Sequence, residues 1–172
     1  LRVGALQLDD SSYSDYGYQR DLGALMSSHD PSRALDLLVL PEYSYIFTQD
    51  LYRKSEITAL SGLTTDKSLV ITSRSGEADE GHKNLVTFYK PDGQIAAQQE
   101  KQFLIPAGEY VPYFYEWILV LSGNTSVIGA HQAKNTVTPS DQIARPVNYN
   151  NDKVGSLACS GAIAPEFYRA LV

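Results

Sequence analysis

The segment Leu37-Leu38-Val39-Leu40-Pro41-Glu42 decides what fold the sequence predicts. An apolar run that begins at Leu35 and stops at Pro41 is typical of a strand buried on both faces, as in an α/β or layered sheet. Ser68–Ser73 is a second run of this kind, and Asp50–Leu60 between them has helical spacing. Because strands and helices alternate, with hairpins interspersed, we expect an α/β layered sandwich.

Shorter patterns predict the remaining elements. We expect further strands at Arg2–Leu8, Asn84–Tyr89, Gln94–Gln99 and Val154–Ala158, and helices at Arg20–Ser28, Tyr113–Leu121 and Ala164–Leu171. Pro91-Asp92-Gly93 predicts the turn of a hairpin. Gly76–Gly81 is an acidic turn in this interpretation, and Ser122–Asn151 is a long polar stretch with little periodicity.

Composition limits the class of protein. The 172 residues are 43% hydrophobic and 20% charged, as in an ordinary globular protein, and they suffice for one domain with a core. The net charge of -6 argues against nucleic acid as a partner. The single cysteine excludes a disulfide within the chain, and the three histidines lie far apart, without ligand spacing. With no phosphate-binding glycine loop either, we expect no metal and no cofactor.

Three polar residues follow strands of the predicted sheet. Glu42 follows the decisive run, Lys101 follows the strand at Gln94–Gln99, and Cys159 stands between a short strand and a helix. Strand ends are where α/β folds gather catalytic groups. A helix N-terminus beside Cys159 would also favour its thiolate.

These three residue types together suit acyl transfer. A cysteine thiolate is a strong nucleophile, a carboxylate can take its proton, and an ammonium can stabilise an oxyanion. Each residue alone has an ordinary structural interpretation: a small core cysteine, a capping glutamate, an exposed lysine. The sequence around them favours the catalytic interpretation.

Three segments resemble the nitrilase, or carbon–nitrogen hydrolase, superfamily. They are Leu38–Tyr43, Lys101–Pro112 (KQFLIPAGEYVP) and Gly155–Cys159, and the second is most similar to apolipoprotein N-acyltransferases. The resemblance implies a nitrilase-type α-β-β-α layered sandwich with Glu42 as general base, Lys101 as the cation at the oxyanion and Cys159 as the nucleophile. Glu109 matches a second carboxylate near the lysine and cysteine; an ordinary loop carboxylate is the alternative.

The chain departs from the N-acyltransferase pattern in two places. Ser160 and Gly161 stand where that family has an aromatic residue and a glutamate. The chain also reaches Val172 soon after the cysteine. We therefore expect residues 1–172 to be one nitrilase-like domain, its N-terminal part, truncated after the nucleophile elbow.

Three functions remain open from the sequence. The first is an acyltransferase at the extracytoplasmic face of the cell membrane, which moves a fatty acyl group from a phospholipid to the N-terminal amine of an apolipoprotein. The second is a soluble, cytoplasmic hydrolase of small amides or nitriles, and the third is an inactive fragment of either. The aromatic segment Tyr113–Leu121 favours a lipid-using enzyme, although its aliphatic residues fit a core or a covered surface. Nothing in the sequence indicates the oligomeric state.

Overall fold

The computed structural model describes most of the chain between Leu1 and Ser156. The described residues are 1–6, 20, 23–24, 27–28, 30–42, 44, 46–47, 50–77, 82–101, 104, 112–129, 137, 140 and 145–156. The helix expected at Ala164–Leu171 lies outside them. Of the helix expected at Arg20–Ser28, the described residues 20, 23–24 and 27–28 are helical.

The described strands form a five-stranded sheet and a separate hairpin. The sheet contains β1 (Val3–Ala5), β2 (Leu35–Glu42), β3 (Thr64–Glu77), β4 (His82–Tyr89) and β5 (Ile95–Glu100), in that spatial order. Strand β2 runs parallel to both β1 and β3. The decisive run therefore forms an interior strand of the sheet. It is not buried on both faces as predicted, because Val39 is exposed.

Helix α1 (Asp50–Ser61) connects β2 to β3, as the sequence predicts. Its last turn passes directly into β3, where the Thr64 hydroxyl donates to the carbonyl of Leu60 at 2.7 Å. Leu60 and Leu63 are fully buried. Burying a leucine side chain stabilises the fold by about 2 kcal/mol. The helix is therefore held by its packing onto the sheet.

The turn between β4 and β5 confirms the predicted hairpin. Gly93 has a φ of 79°, in the left-handed region that favours glycine. Its backbone N–H donates to the carbonyl of Lys90 at 2.9 Å, and Asp92 accepts from the backbone of Gln94 at 2.9 Å. A Cβ on Gly93 would also lie 3.2 Å from the ring of Phe47, so glycine meets both the torsional and the spatial requirement.

The chain divides into two compact units. The first comprises Leu1–Arg74 and Thr87–Gln98, and the second comprises Ser75–Val86 and Gln99–Val172. The core of the first unit joins buried residues of β2, α1, β3 and β4 with the segment after β2 and the turn between α1 and β3. They are Leu35, Leu38, Leu40, Ile46, Phe47, Leu60, Leu63, Val70 and Tyr89.

In the second unit, the structure corrects the prediction for Ser122–Asn151 and the short strand after it. Strands β6 (Val147–Tyr149) and β7 (Asp152–Val154) form an antiparallel hairpin. Its two turn residues, Asn150 and Asn151, have φ values of 50° and 70°. Asparagine tolerates this left-handed conformation, which two-residue hairpin turns require. Of the strand expected at Val154–Ala158, only Val154 lies in a strand; residues 155–156 do not, and residues 157–158 lie outside the described residues.

Two further predictions in the second unit are corrected. Residues 125–129 are helical within the stretch interpreted as polar and aperiodic. Gly76 and Glu77, expected in the turn at Gly76–Gly81, belong to β3, and residues 78–81 lie outside the described residues.

Helix α2 (Tyr113–Leu121) has the predicted bounds, but it contains no buried residue. Tyr113 is 88% exposed, Trp117 62% and Leu121 68%. The interpretation of its aliphatic residues as core of this chain is therefore wrong. A helix that is apolar on all sides ordinarily lies against protein or lipid.

Candidate active site

Glu42 is the last residue of β2, as the sequence predicts for a catalytic carboxylate. Its side chain is exposed. The residue before it, Pro41, has no N–H to donate, and prolines inside a sheet are found at bulges. The register shows such a bulge: Val39 pairs with Ile71 and Glu42 pairs with Ser73. Two residues of β2 thus oppose one residue of β3.

The single residue opposite this bulge is Thr72. Its hydroxyl donates to the carbonyl of Pro41 at 2.8 Å and lies 2.7 Å from the hydroxyl of Ser44. Thr72 and Ser44 are both buried. One side chain of β3 therefore contacts the chain immediately before and shortly after Glu42.

A second group holds the segment after Glu42. The carboxylate of Glu56, on α1, accepts a hydrogen bond from the backbone N–H of Phe47 at 2.9 Å. Glu56 is only 5% exposed, and this burial raises the pKa of its carboxyl, although the bond from Phe47 and the nearby Arg53 act in the opposite direction. The buried carboxylate thus satisfies a backbone donor within the core.

Lys101 follows the last residue of β5 directly, as predicted. Its side chain is buried, at only 5% exposed. Its backbone N–H donates to the carbonyl of Asn84 at 2.8 Å, and its carbonyl accepts from Ser140 at 3.2 Å. These hydrogen bonds hold the backbone of Lys101, the residue that the resemblance to the nitrilase superfamily implies as the cation at the oxyanion.

An ion pair stabilises the strand just before Lys101. The ammonium of Lys83 lies 3.0 Å from the carboxylate of Glu100. The hydrogen bond from Lys83 lowers the pKa of the Glu100 carboxyl, and a bond from Ser140 adds to this effect. Both side chains are about 30% exposed, with values of 32% and 29%.

The four predicted site residues are thus placed to different extents. Glu42 belongs to the first unit and Lys101 to the second. Glu109 and Cys159 lie outside the described residues. That the carboxylate, the ammonium and the sulfur converge on one pocket therefore stays a prediction, as does the role of Glu109.

Neither Thr72 nor Glu56 was predicted from the sequence to be a site residue. The signal for Thr72 was Pro41, since a proline in an interior strand predicts a bulge and a carbonyl in need of a new donor. For Glu56 there was no comparable signal, because a glutamate in a helix is ordinarily solvated.

Two kinds of feature are absent from the described part of the chain. No helix there is both long and apolar enough to cross a membrane. No group of three or more histidine, cysteine, aspartate or glutamate side chains among these residues is arranged to hold a metal ion.

Neither family models nor curated protein sequences match this chain. Solved structures, however, match this chain. A carbon–nitrogen hydrolase from Helicobacter pylori matches with a TM-score of 0.61 and 21% identity, over 99% of this chain and 55% of its own. A variant of an amidase from Nesterenkonia sp. AN1, with acrylamide added at its active-site cysteine, matches with a TM-score of 0.59 and 16% identity, over 99% and 62%.

A further variant of this amidase from the nitrilase superfamily matches with a TM-score of 0.58 and 17% identity, over 99% of this chain and 60% of its own. The chain therefore spans 55–62% of the length of the chains in these three structures. At such identities the likeness establishes the fold. The predicted fold class is confirmed: the chain is a mixed α/β protein with the fold of carbon–nitrogen hydrolases.

Proposed function

We propose that this chain carries the site of a cysteine-dependent enzyme that cleaves carbon–nitrogen bonds of amides. The observation that carries the proposal is the shared fold, over 99% of the chain, with amidases that use an active-site cysteine. Two further findings support it. Glu42 ends β2, and Lys101 follows β5 with a buried side chain.

The proposed reaction begins with acylation of Cys159. The sulfur attacks the amide carbonyl carbon while Glu42 takes the thiol proton, and Lys101 stabilises the negative oxygen of the tetrahedral intermediate. Collapse of this intermediate breaks the carbon–nitrogen bond, and Glu42 returns the proton to the leaving amine. The acyl group then remains on Cys159 as a thioester.

Water completes the cycle. Glu42 takes a proton from a water molecule that attacks the thioester carbonyl, and the sulfur leaves with that proton restored. The products are a carboxylic acid and the free enzyme. Since Glu42 acts in both half-reactions, its loss should affect acylation and deacylation together.

Ammonia release from small primary amides tests this proposal. We expect turnover by the full-length protein, and its loss in both Cys159→Ala and Glu42→Gln. Glu77→Gln, an exposed carboxylate at the end of β3, is the matched control and should keep full activity. Turnover that persists in Cys159→Ala would refute the proposal.

A second function is favoured by α2. Its exposed tyrosines, phenylalanine, tryptophan and aliphatic residues suit the interfacial region of a lipid bilayer. This favours acyl transfer from a phospholipid, in which the amine of a lipoprotein replaces water in the attack on the thioester. Such an enzyme would work at a membrane surface.

Trp117 makes this alternative testable, because it is the only tryptophan of the chain. If α2 enters lipid, phosphatidylcholine vesicles should shift the emission of Trp117 to shorter wavelength. Phe114→Ser combined with Leu121→Ser should reduce the shift. Emission that is unchanged by vesicles would leave amide hydrolysis as the function.

A further inference from the structure

We propose that Thr72 is a positioning residue for Glu42, acting through the backbone on both sides of it. This inference rests on the proposed role of Glu42 as general base. All the contacts that carry it lie within the first compact unit, between β2, the segment after β2, and β3.

The need for such a residue begins with Pro41. In an interior strand, each backbone carbonyl normally accepts from a neighbouring strand, but the bulge before Glu42 interrupts the pairing with β3. The hydroxyl of Thr72, opposite the bulge, donates to the Pro41 carbonyl at 2.8 Å. At the bulge, the Pro41 carbonyl thus accepts a hydrogen bond from a side chain.

The same hydroxyl also determines the position of Ser44. Of the two carbonyls within reach of the Thr72 hydroxyl, that of Pro41 is nearer, at 2.8 Å against 3.3 Å for that of Ser73. The hydroxyls of Thr72 and Ser44 lie 2.7 Å apart, and either hydroxyl can donate in this contact. The Thr72 hydroxyl therefore contacts the chain one residue before Glu42, at Pro41, and two residues after it, at Ser44.

Burial makes this arrangement stiff. Thr72 is only 4% exposed, while Glu42 itself is exposed at the end of its strand. An exposed carboxylate on a freely moving backbone would not be held in one orientation toward the substrate. A misplacement of a catalytic group by about 1 Å can lower the reaction rate about 100-fold. Fixing the backbone before and after Glu42 limits the directions in which its side chain can point.

Valine substitutions separate positioning from stability. Thr72→Val keeps the shape of the side chain and removes the hydroxyl, whereas Thr72→Ser keeps the hydroxyl. Thr64→Val is the matched control: Thr64 is a buried threonine on the same strand whose hydroxyl also donates to a backbone carbonyl, that of Leu60, at 2.7 Å. The thermal unfolding curve of each variant is measured first. Activities are then compared at a temperature at which all the variants are folded.

The readout is kcat and KM for a primary amide, measured with the full-length protein. We expect Thr72→Val to lower kcat between about 10- and 100-fold with KM changed less than about threefold. Thr72→Ser should restore most of kcat, and Thr64→Val should retain it. Equal kcat values for the two valine variants would overturn the inference.

Two further outcomes are also decisive. If Thr72→Val does not fold, Ser44→Ala takes its place, and a kcat equal to that of the unmodified protein would overturn the inference. If the unmodified protein shows no turnover that depends on Cys159, the proposed function fails and the role of Thr72 falls with it. Cysteine-dependent turnover that is indifferent to Thr72 would refute the positioning role alone.

Discussion

The carboxylate of Glu56 accepts a hydrogen bond of 2.9 Å from the backbone N–H of Phe47, a residue held at a φ of 60°. A bulky residue in this left-handed region costs about 1–2 kcal/mol. The ring of Phe47 packs edge-on against Tyr89, with ring centroids 5.2 Å apart. A buried charge and an aromatic contact together maintain an unfavourable backbone conformation in the segment that follows Glu42.

Removing the acceptor at Glu56 should destabilise the fold. Glu56→Leu leaves the N–H of Phe47 buried without its acceptor, and we expect a loss of about 1–3 kcal/mol in the free energy of unfolding. Glu56→Gln keeps an acceptor oxygen and should lose less. Urea unfolding at pH 7 measures both values, and a Glu56→Leu variant as stable as Glu56→Gln would show that the bond contributes little.

The charge of Glu56 should also make stability depend on pH. Burial raises the pKa of this carboxyl above 4.5, so the folded protein holds the proton more tightly than the unfolded chain. Stability relative to Glu56→Gln should therefore fall as the pH rises from 4.5 through the raised pKa, and then stay constant. A free energy of unfolding that instead rises with pH, relative to that of Glu56→Gln, would contradict a raised pKa for Glu56.

The ion pair before Lys101 should have the opposite pH dependence. The bond from Lys83 lowers the pKa of Glu100, so its contribution is present above pH 4.5 and is lost as the pH falls through the lowered value. Because both side chains are partly exposed, Glu100→Gln should cost less than about 1 kcal/mol at neutral pH. Glu77→Gln is the control, and an equal loss in both variants would exclude a specific contribution of the pair.

Lys101 should accelerate the reaction of Cys159 with iodoacetamide. If its ammonium stabilises the thiolate by one pKa unit, Lys101→Ala should slow alkylation about tenfold near neutral pH. Lys83→Ala is the matched control, because it removes a nearby lysine that is paired with Glu100. Equal alkylation rates in the two variants would remove Lys101 from the proposed site.

The sequence predicted those elements whose local pattern agrees with their environment. The apolar run of β2, the spacing of α1 and the turn at Gly93 all have this property, and the structure confirms them. The hairpin of β6 and β7 was missed because each strand has three residues, too few for alternation to be visible. Its turn uses two asparagines in place of the more familiar Asn-Gly.

The candidate site was predictable only where chemistry and strand ends coincide. Glu42 ends one strand and Lys101 follows another, and both were found for that reason. Thr72 and Glu56 act through hydrogen bonds to backbone atoms that lie 31 and 9 residues away in the chain. Such contacts depend on strand register and on the path of the loop, which local patterns do not encode.

The central claim is that Cys159 carries an acyl group during turnover, and mass spectrometry of acid-quenched protein tests it most directly. With an activated ester such as p-nitrophenyl acetate, we predict an acetyl group on the peptide that contains Cys159. The adduct should be absent from Cys159→Ala and strongly reduced in Glu42→Gln. Product release with the Cys159 peptide unmodified, or an adduct that forms equally in Glu42→Gln, would contradict the proposed mechanism.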